Sequence, residues 1–110
     1  MDIEQLRTFV LATELKSFSH AAAALRVSQS TVSIRIKGLE EEVGQSLLVR
    51  KGREFSLTPA GVNFLKYARE IVSQAQVALQ STREFASLTQ LVIGATPFIA
   101  NYLLPQVLRD

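Results

Sequence analysis

The sequence predicts a mainly α fold: a winged helix-turn-helix of three helices and a two-stranded wing, followed by a long dimerisation helix. Three observations predict it. An alanine-rich helical run (20–26) breaks at Val27-Ser28 and is followed by an amphipathic run (29–42) with small polar and basic residues on its outer side. Two short strand-like runs then flank the basic turn Lys51-Gly52. From Pro59 the apolar residues recur at a 3.5-residue spacing for about thirty residues without a breaker after Gly61.

Each element has its own justification. Ile3, Leu6, Phe9, Val10 and Thr13 recur at helical spacing, so 2–16 reads as an amphipathic helix, with Asp2 as its cap and Glu4 suited to the first turn. Ser17-Phe18-Ser19 interrupts it. Phe18 is expected to plug the core between two helices, and Ser19 to cap the alanine-rich second helix. Ser28 caps the third helix, whose inward stripe is Val32, Ile36, Leu39 and Val43; Ser30, Ile34, Lys37 and Glu41 fall on the opposite side. Gly44 stops it. Leu47 to Arg50 and Glu54 to Leu57 are the wing strands, and Thr58-Pro59 opens the next helix with a cap and a first-turn proline.

That last helix would span roughly 45 Å from 59 to 88, more than so small a domain can cover. Leu65, Ala68, Val72, Ala75 and Leu79 form a seam, with Phe64 and Ile71 in a second row, and these residues are expected to form the interface of a homodimer. The alternative is a helix folded back on its own domain. After Leu88, Gln90 to Gly94 reads as a buried strand and Ala95-Thr96-Pro97 as a helix start. A strand and helix alone cannot bury themselves, so 89–110 is expected to begin a further domain. The expected organisation is therefore 1–58, 59–88 and 89–110.

Composition bounds the function. A chain of 110 residues with 47% hydrophobic content has room for one small core. No apolar run is long enough to span a membrane, no signal segment opens the chain, and there is no cysteine; a cytoplasmic protein is expected, with neither metal nor cofactor. The net charge is only +2, so a nucleic-acid binder must gather its cations locally, and Arg26, Arg35, Lys37, Arg50, Lys51 and Arg53 fall in one span. A mixed-charge surface would look similar on charge alone. Glu40, Glu41 and Glu42 read as a solvated face. With one histidine, His20, and no phosphate loop or catalytic carboxylate pair, an enzyme is rejected.

The residues carry a family likeness. Ile3-Glu4-Gln5-Leu6-Arg7-Thr8-Phe9-Val10, then Ser17-Phe18-Ser19 with Ala21-Ala22, then Ser28-Gln29, Val32-Ser33, Ile36-Lys37 and Leu39-Glu40, and finally Leu57-Thr58-Pro59-Ala60-Gly61 stand in order at the right intervals. The set resembles the N-terminal part of the LysR-type transcriptional regulators, and the likeness extends through Leu91 to Gly94 and Leu103-Leu104-Pro105. Ser30 departs from a proline common in the family, and Ile34 from an arginine.

The resemblance implies a regulator of double-stranded promoter DNA, homodimeric and in full length possibly tetrameric, that responds to a small-molecule effector. The expected DNA-binding residues are Ser28, Gln29, Ser30, Thr31, Ser33, Ile34, Arg35, Lys37, Arg50, Lys51 and Arg53. Gln29 suits bidentate pairing with adenine, and Ile34 can offer only apolar contact, for example to a thymine methyl. Ser33 is left between base and phosphate. Arg35 and Lys37 are expected at phosphates, and the wing cations at the backbone or the neighbouring minor groove. Thr96 at a helix start is the candidate effector contact, a plain helix cap being its other reading. A protein-docking module that oligomerises through its long helix is the competing function.

Overall fold

A computed structural model of the chain describes residues 1–52 and 54–95, with side chains to residue 86. The order is α1 (Ile3–Leu15), α2 (Phe18–Leu25), α3 (Gln29–Val43), β1 (Leu48–Lys51), β2 (Glu54–Leu57) and α4 (Pro59–Ala95). This is the expected winged helix-turn-helix with a long final helix. Two compact units divide at Gln74 and Ala75, within α4.

Local chemistry sets the helix ends. The Asp2 carboxylate accepts from the Gln5 amide at 2.8 Å, and the Gln5 side-chain oxygen accepts from the Asp2 amide at 3.1 Å. This reciprocal box satisfies two donors that α1 would otherwise leave open. Lys16 and Arg26, in the left-handed region at φ 53° and 58°, end α1 and α2, and Gly44 does the same for α3.

The second helix begins earlier than expected. Ser17, not Ser19, is its cap, accepting from the His20 amide at 3.1 Å. Either serine can cap; starting from Ser17 puts Phe18 in the first turn, where its ring is buried against Phe55 of the wing at 5.1 Å between centroids.

Phe9, Val32, Leu39 and Leu47 are fully buried at the centre of the core. Val43 corrects the expected stripe: it is exposed in the last turn of α3, and Leu47 and Leu48 fill the core beyond it. The wing strands pair antiparallel with Leu48 opposite Leu57, Arg50 opposite Phe55 and Lys51 opposite Glu54. Gly52 at the turn has φ 64°, a conformation that costs little only without a Cβ.

The wing root, α3 and α4 meet at one peptide group. The Leu47 amide donates to Glu40 Oε2 at 2.7 Å, and the Leu48 amide to the same oxygen at 3.2 Å. The Leu47 carbonyl accepts from the Thr58 amide at 3.0 Å. Thr58 Oγ1 in turn accepts from the Gly61 amide at 2.9 Å and donates to the Ser46 carbonyl at 2.6 Å. A Cβ at Gly61 would sit 2.1 Å from the Leu47 carbonyl oxygen, so glycine is what lets α4 approach this closely.

Two further expectations are corrected. Glu40 is not part of a solvated acidic face, because its carboxylate holds the amides at the start of β1. The run 90–94 is helical, continuing α4 to Ala95, and not a strand. A helix satisfies its backbone hydrogen bonds internally, whereas a strand needs a neighbour that no described segment supplies there.

Candidate nucleic-acid interface

The outer side of α3 begins at its cap. Ser28 Oγ accepts from the Thr31 amide at 3.1 Å and shares a hydrogen bond with Thr31 Oγ1 at 2.9 Å. These two predicted contact residues are thus engaged with each other, and Thr31 is half-buried. Gln29, Ser30 and Lys37 are exposed, and Ile34 is 70% exposed, the largest value for a big hydrophobic side chain among the described residues. Ser33 and Lys37 line a cleft of about 260 Å³ with Phe18, Ile36, Glu40, Leu48 and Arg50. The outer face therefore offers short side chains near the helix start and a cation farther along, a profile that fits the width of a DNA major groove.

Arg35 lies elsewhere. Its guanidinium turns inward across α1, donating to Thr8 Oγ1 at 3.3 Å and pairing with Glu4 Oε2 at 3.7 Å, with the side chain 25% exposed. Thr8 is fully buried, and its hydroxyl also donates to the Glu4 carbonyl at 2.6 Å. The arginine thus caps a buried polar group and ties α3 to α1.

The wing supplies the second group of cations. Arg50 and Lys51 are exposed on β1; Arg53, also expected here, lies outside the described residues. Arg50 is not free at the tip: its Cζ sits 4.1 Å above the Phe18 ring, a cation–π contact. A second cleft, of about 480 Å³ and more polar, runs past it, lined among others by Lys16, Ser17, Ser19, Gln29 and Gly52. Sequence reasoning missed Lys16 and the stacking of Arg50 on Phe18. The hairpin register puts Arg50 opposite Phe55, but the ring beneath the guanidinium comes from a distant helix.

Along α4 the expected dimer residues divide. Leu65 (8% exposed) and Ala68 (0%) belong to the domain's own core, and Phe64 packs on Phe9 with ring centroids 5.7 Å apart. The first turns of α4 thus close the hydrophobic core that three short helices leave open, with Phe64 half-buried against it. Val72 is half-buried against the same core, and Ala75 is half-buried. Ile71 (42%) and Leu79 (52%) stay exposed. Thr96 lies outside the described residues. Among the described residues no cluster of histidine and acidic side chains could hold a metal ion, and no helix is long and apolar enough to cross a membrane.

A basic hairpin beside a helix with a small polar outer face defines a winged helix-turn-helix domain of the nucleic-acid-binding type. The bacterial regulatory helix-turn-helix proteins of the lysR family match residues 3–62, and the chain belongs to that family. It is 38% identical over 111 residues to the uncharacterized HTH-type transcriptional regulator YwqM of Bacillus subtilis strain 168, covering 100% of this chain and 38% of YwqM. It is 39% identical over 106 residues to the HTH-type transcriptional regulator HdfR of Yersinia enterocolitica, covering 96% of this chain and 36% of HdfR. The chain thus spans a little over a third of the length of these relatives. Among solved structures, the BenM DNA-binding domain in complex with catB site 1 DNA superposes with a TM-score of 0.74 at 38% identity, covering 79% of this chain and 98% of that one.

Proposed function

We propose that this chain is the DNA-binding and dimerising portion of a LysR-type transcription regulator, which binds double-stranded promoter DNA as a homodimer and responds to a small-molecule effector through the rest of the protein. One observation carries the reading: α3 has its inner face fixed in the core while Gln29, Ser30, Ile34 and Lys37 stand exposed on its outer side, beside the cations of the wing. The likeness to a domain solved on DNA supports it.

In this reading α3 lies in the major groove. Gln29 reads base edges, Ile34 contributes apolar contact, Ser30 and Ser33 allow close approach, and Lys37 neutralises backbone phosphate. Arg50, Lys51 and Arg53 hold the adjacent backbone or minor groove. Ser28, Thr31 and Arg35 act indirectly, by fixing the start and the roll of the helix. The second copy packs along the stripe Ile71, Ala75 and Leu79, four residues apart on α4, with Ile71 and Leu79 exposed and Ala75 half-buried between them. The winged domain is 1–58, the linker helix opens at Pro59, and the segment from about 89 leads into an effector-binding domain. The greater length of the relatives supports that last assignment.

The test is a binding titration on the chain's own upstream promoter fragment and on a random duplex, each over a salt series. Preferential binding to the promoter, with affinity falling steeply as salt rises, is expected. Equal affinity for both duplexes would remove sequence-specific regulation, and no affinity for either would favour a protein-docking module. Sedimentation equilibrium at high micromolar concentration should give a dimer; a monomer there would remove the assigned pairing along α4.

A further inference from the structure

We propose that Arg50 is a preorganised phosphate clamp serving the groove that α3 enters, and that Phe18 is the positioning residue that holds it there. The inference rests on the DNA-binding reading above and gives one of its cations a distinct place and partner.

Three features converge. First, the Arg50 guanidinium lies over the Phe18 ring at 4.1 Å. Stacking occupies one face of the planar group and leaves its N–H edge available. Among the described residues no hydrogen bond or ion pair engages that edge. Second, the platform is itself fixed: Phe18 is buried in the first turn of α2 and meets Phe55 at 5.1 Å and 61°, and Phe55 is the cross-strand partner of Arg50. The three side chains pin the wing to α2, and the cation stands at the end of the pin.

Third, Arg50 and Phe18 form a wall common to both clefts. Ser33 and Lys37 lie in one, Lys16 and Gln29 in the other. The acid in the first cleft, Glu40, already accepts from the Leu47 and Leu48 amides. The Glu40 charge remains, but Lys37 and Arg50 in that cleft and Lys16 in the other outweigh it, so the balance around Arg50 is positive, and Arg50 stands beside α3, not at the hairpin tip with Lys51. A phosphodiester bordering the groove is the ligand that suits it: a planar, permanently charged fork binds phosphate oxygens in pairs, and a stacked one loses little side-chain freedom on doing so.

The test measures affinity against salt for the full chain and its variants, on promoter and random duplexes. Arg50→Ala should weaken binding to both by about tenfold near 0.1 M salt and flatten the slope of log K against log salt by about 0.9, the contribution of one phosphate. Replacing single phosphates with uncharged methylphosphonates should reveal one position that weakens the unaltered protein by a similar factor and leaves Arg50→Ala unaffected. Phe18→Leu keeps an apolar plug but no ring; it should weaken binding several-fold alone and not at all in the Arg50→Ala background.

An unchanged salt slope for Arg50→Ala overturns the clamp. Equal losses for Phe18→Leu in both backgrounds overturn the positioning role and leave Phe18 as packing alone. Either result leaves promoter preference through Gln29 intact, so it is distinguishable from failure of the DNA-binding reading, in which the unaltered protein binds no duplex.

Discussion

The two faces of α3 carry the same kinds of side chain and put them to different uses. Arg35 and Lys37 are two residues apart; one is bonded to Thr8 and Glu4 of α1, the other is exposed. Glu40 and Glu41 are adjacent; one holds the amides of Leu47 and Leu48, the other is exposed. What separates them is the rotation of about 100° per residue, which sends neighbours to different surroundings. Charge in the sequence is therefore a poor guide to charge at the interface; the helix face decides.

If the division is real, inner-face and seam substitutions should change stability before they change binding, and outer-face ones the reverse. The largest effect is expected at the seam. Gly61→Ala forces a methyl group against the Leu47 carbonyl oxygen and should cost about 3 kcal/mol, read as a fall in Tm or in the midpoint of denaturant unfolding. A loss below about 0.5 kcal/mol would mean that α4 does not approach the wing root this closely.

Next is Glu40→Ala, which strips the shared acceptor from two part-buried amides and should cost about 2 kcal/mol. Glu41→Ala is the matched control and should lie within about 0.5 kcal/mol of the unaltered chain. Equal effects at 40 and 41 would erase the distinction between the faces.

Gln29→Ala tests the outer face. It should reduce discrimination between promoter and random duplex by about 1–3 kcal/mol while thermal stability stays within about 0.5 kcal/mol. Equal losses on the two duplexes would refute its role in base reading. The smallest effect is expected for Arg35→Lys, which keeps a charge near Glu4 but loses the fork that also reaches Thr8. A stability loss of about 1 kcal/mol with an unaltered salt slope is expected, and a flattened slope would return Arg35 to the phosphate contacts.

How legible each part was follows from how local its cause is. The cap at Asp2, the cap at Ser28, the stop at Gly44 and the Thr58-Pro59 start were readable because each depends on a few neighbouring atoms. The choice between Ser17 and Ser19 was not, since both can cap and the burial of Phe18 against a wing still to come decides. A seam of apolar residues every three or four positions says that a helix is covered and not by what, so Leu65 and Ala68 read as interface although their own domain buries them. The apolar run at 91–93 is equally ambiguous between strand and helix over so short a length.

On the outer face the exposed positions of Gln29, Ser30, Ile34 and Lys37 were legible from periodicity alone. The inward turn of Arg35 and the seating of Arg50 on Phe18 were not. Both depend on side chains brought in from other helices.

The Leu47 peptide, clasped from α3 on its nitrogen side and from the start of α4 on its oxygen side, has an engineering corollary. Because the hairpin is anchored at its base, its outermost turn is the interchangeable part of the scaffold. A different loop spliced between Lys51 and Glu54 leaves the clasp untouched, so contacts made at that apex can be redesigned without renegotiating the core.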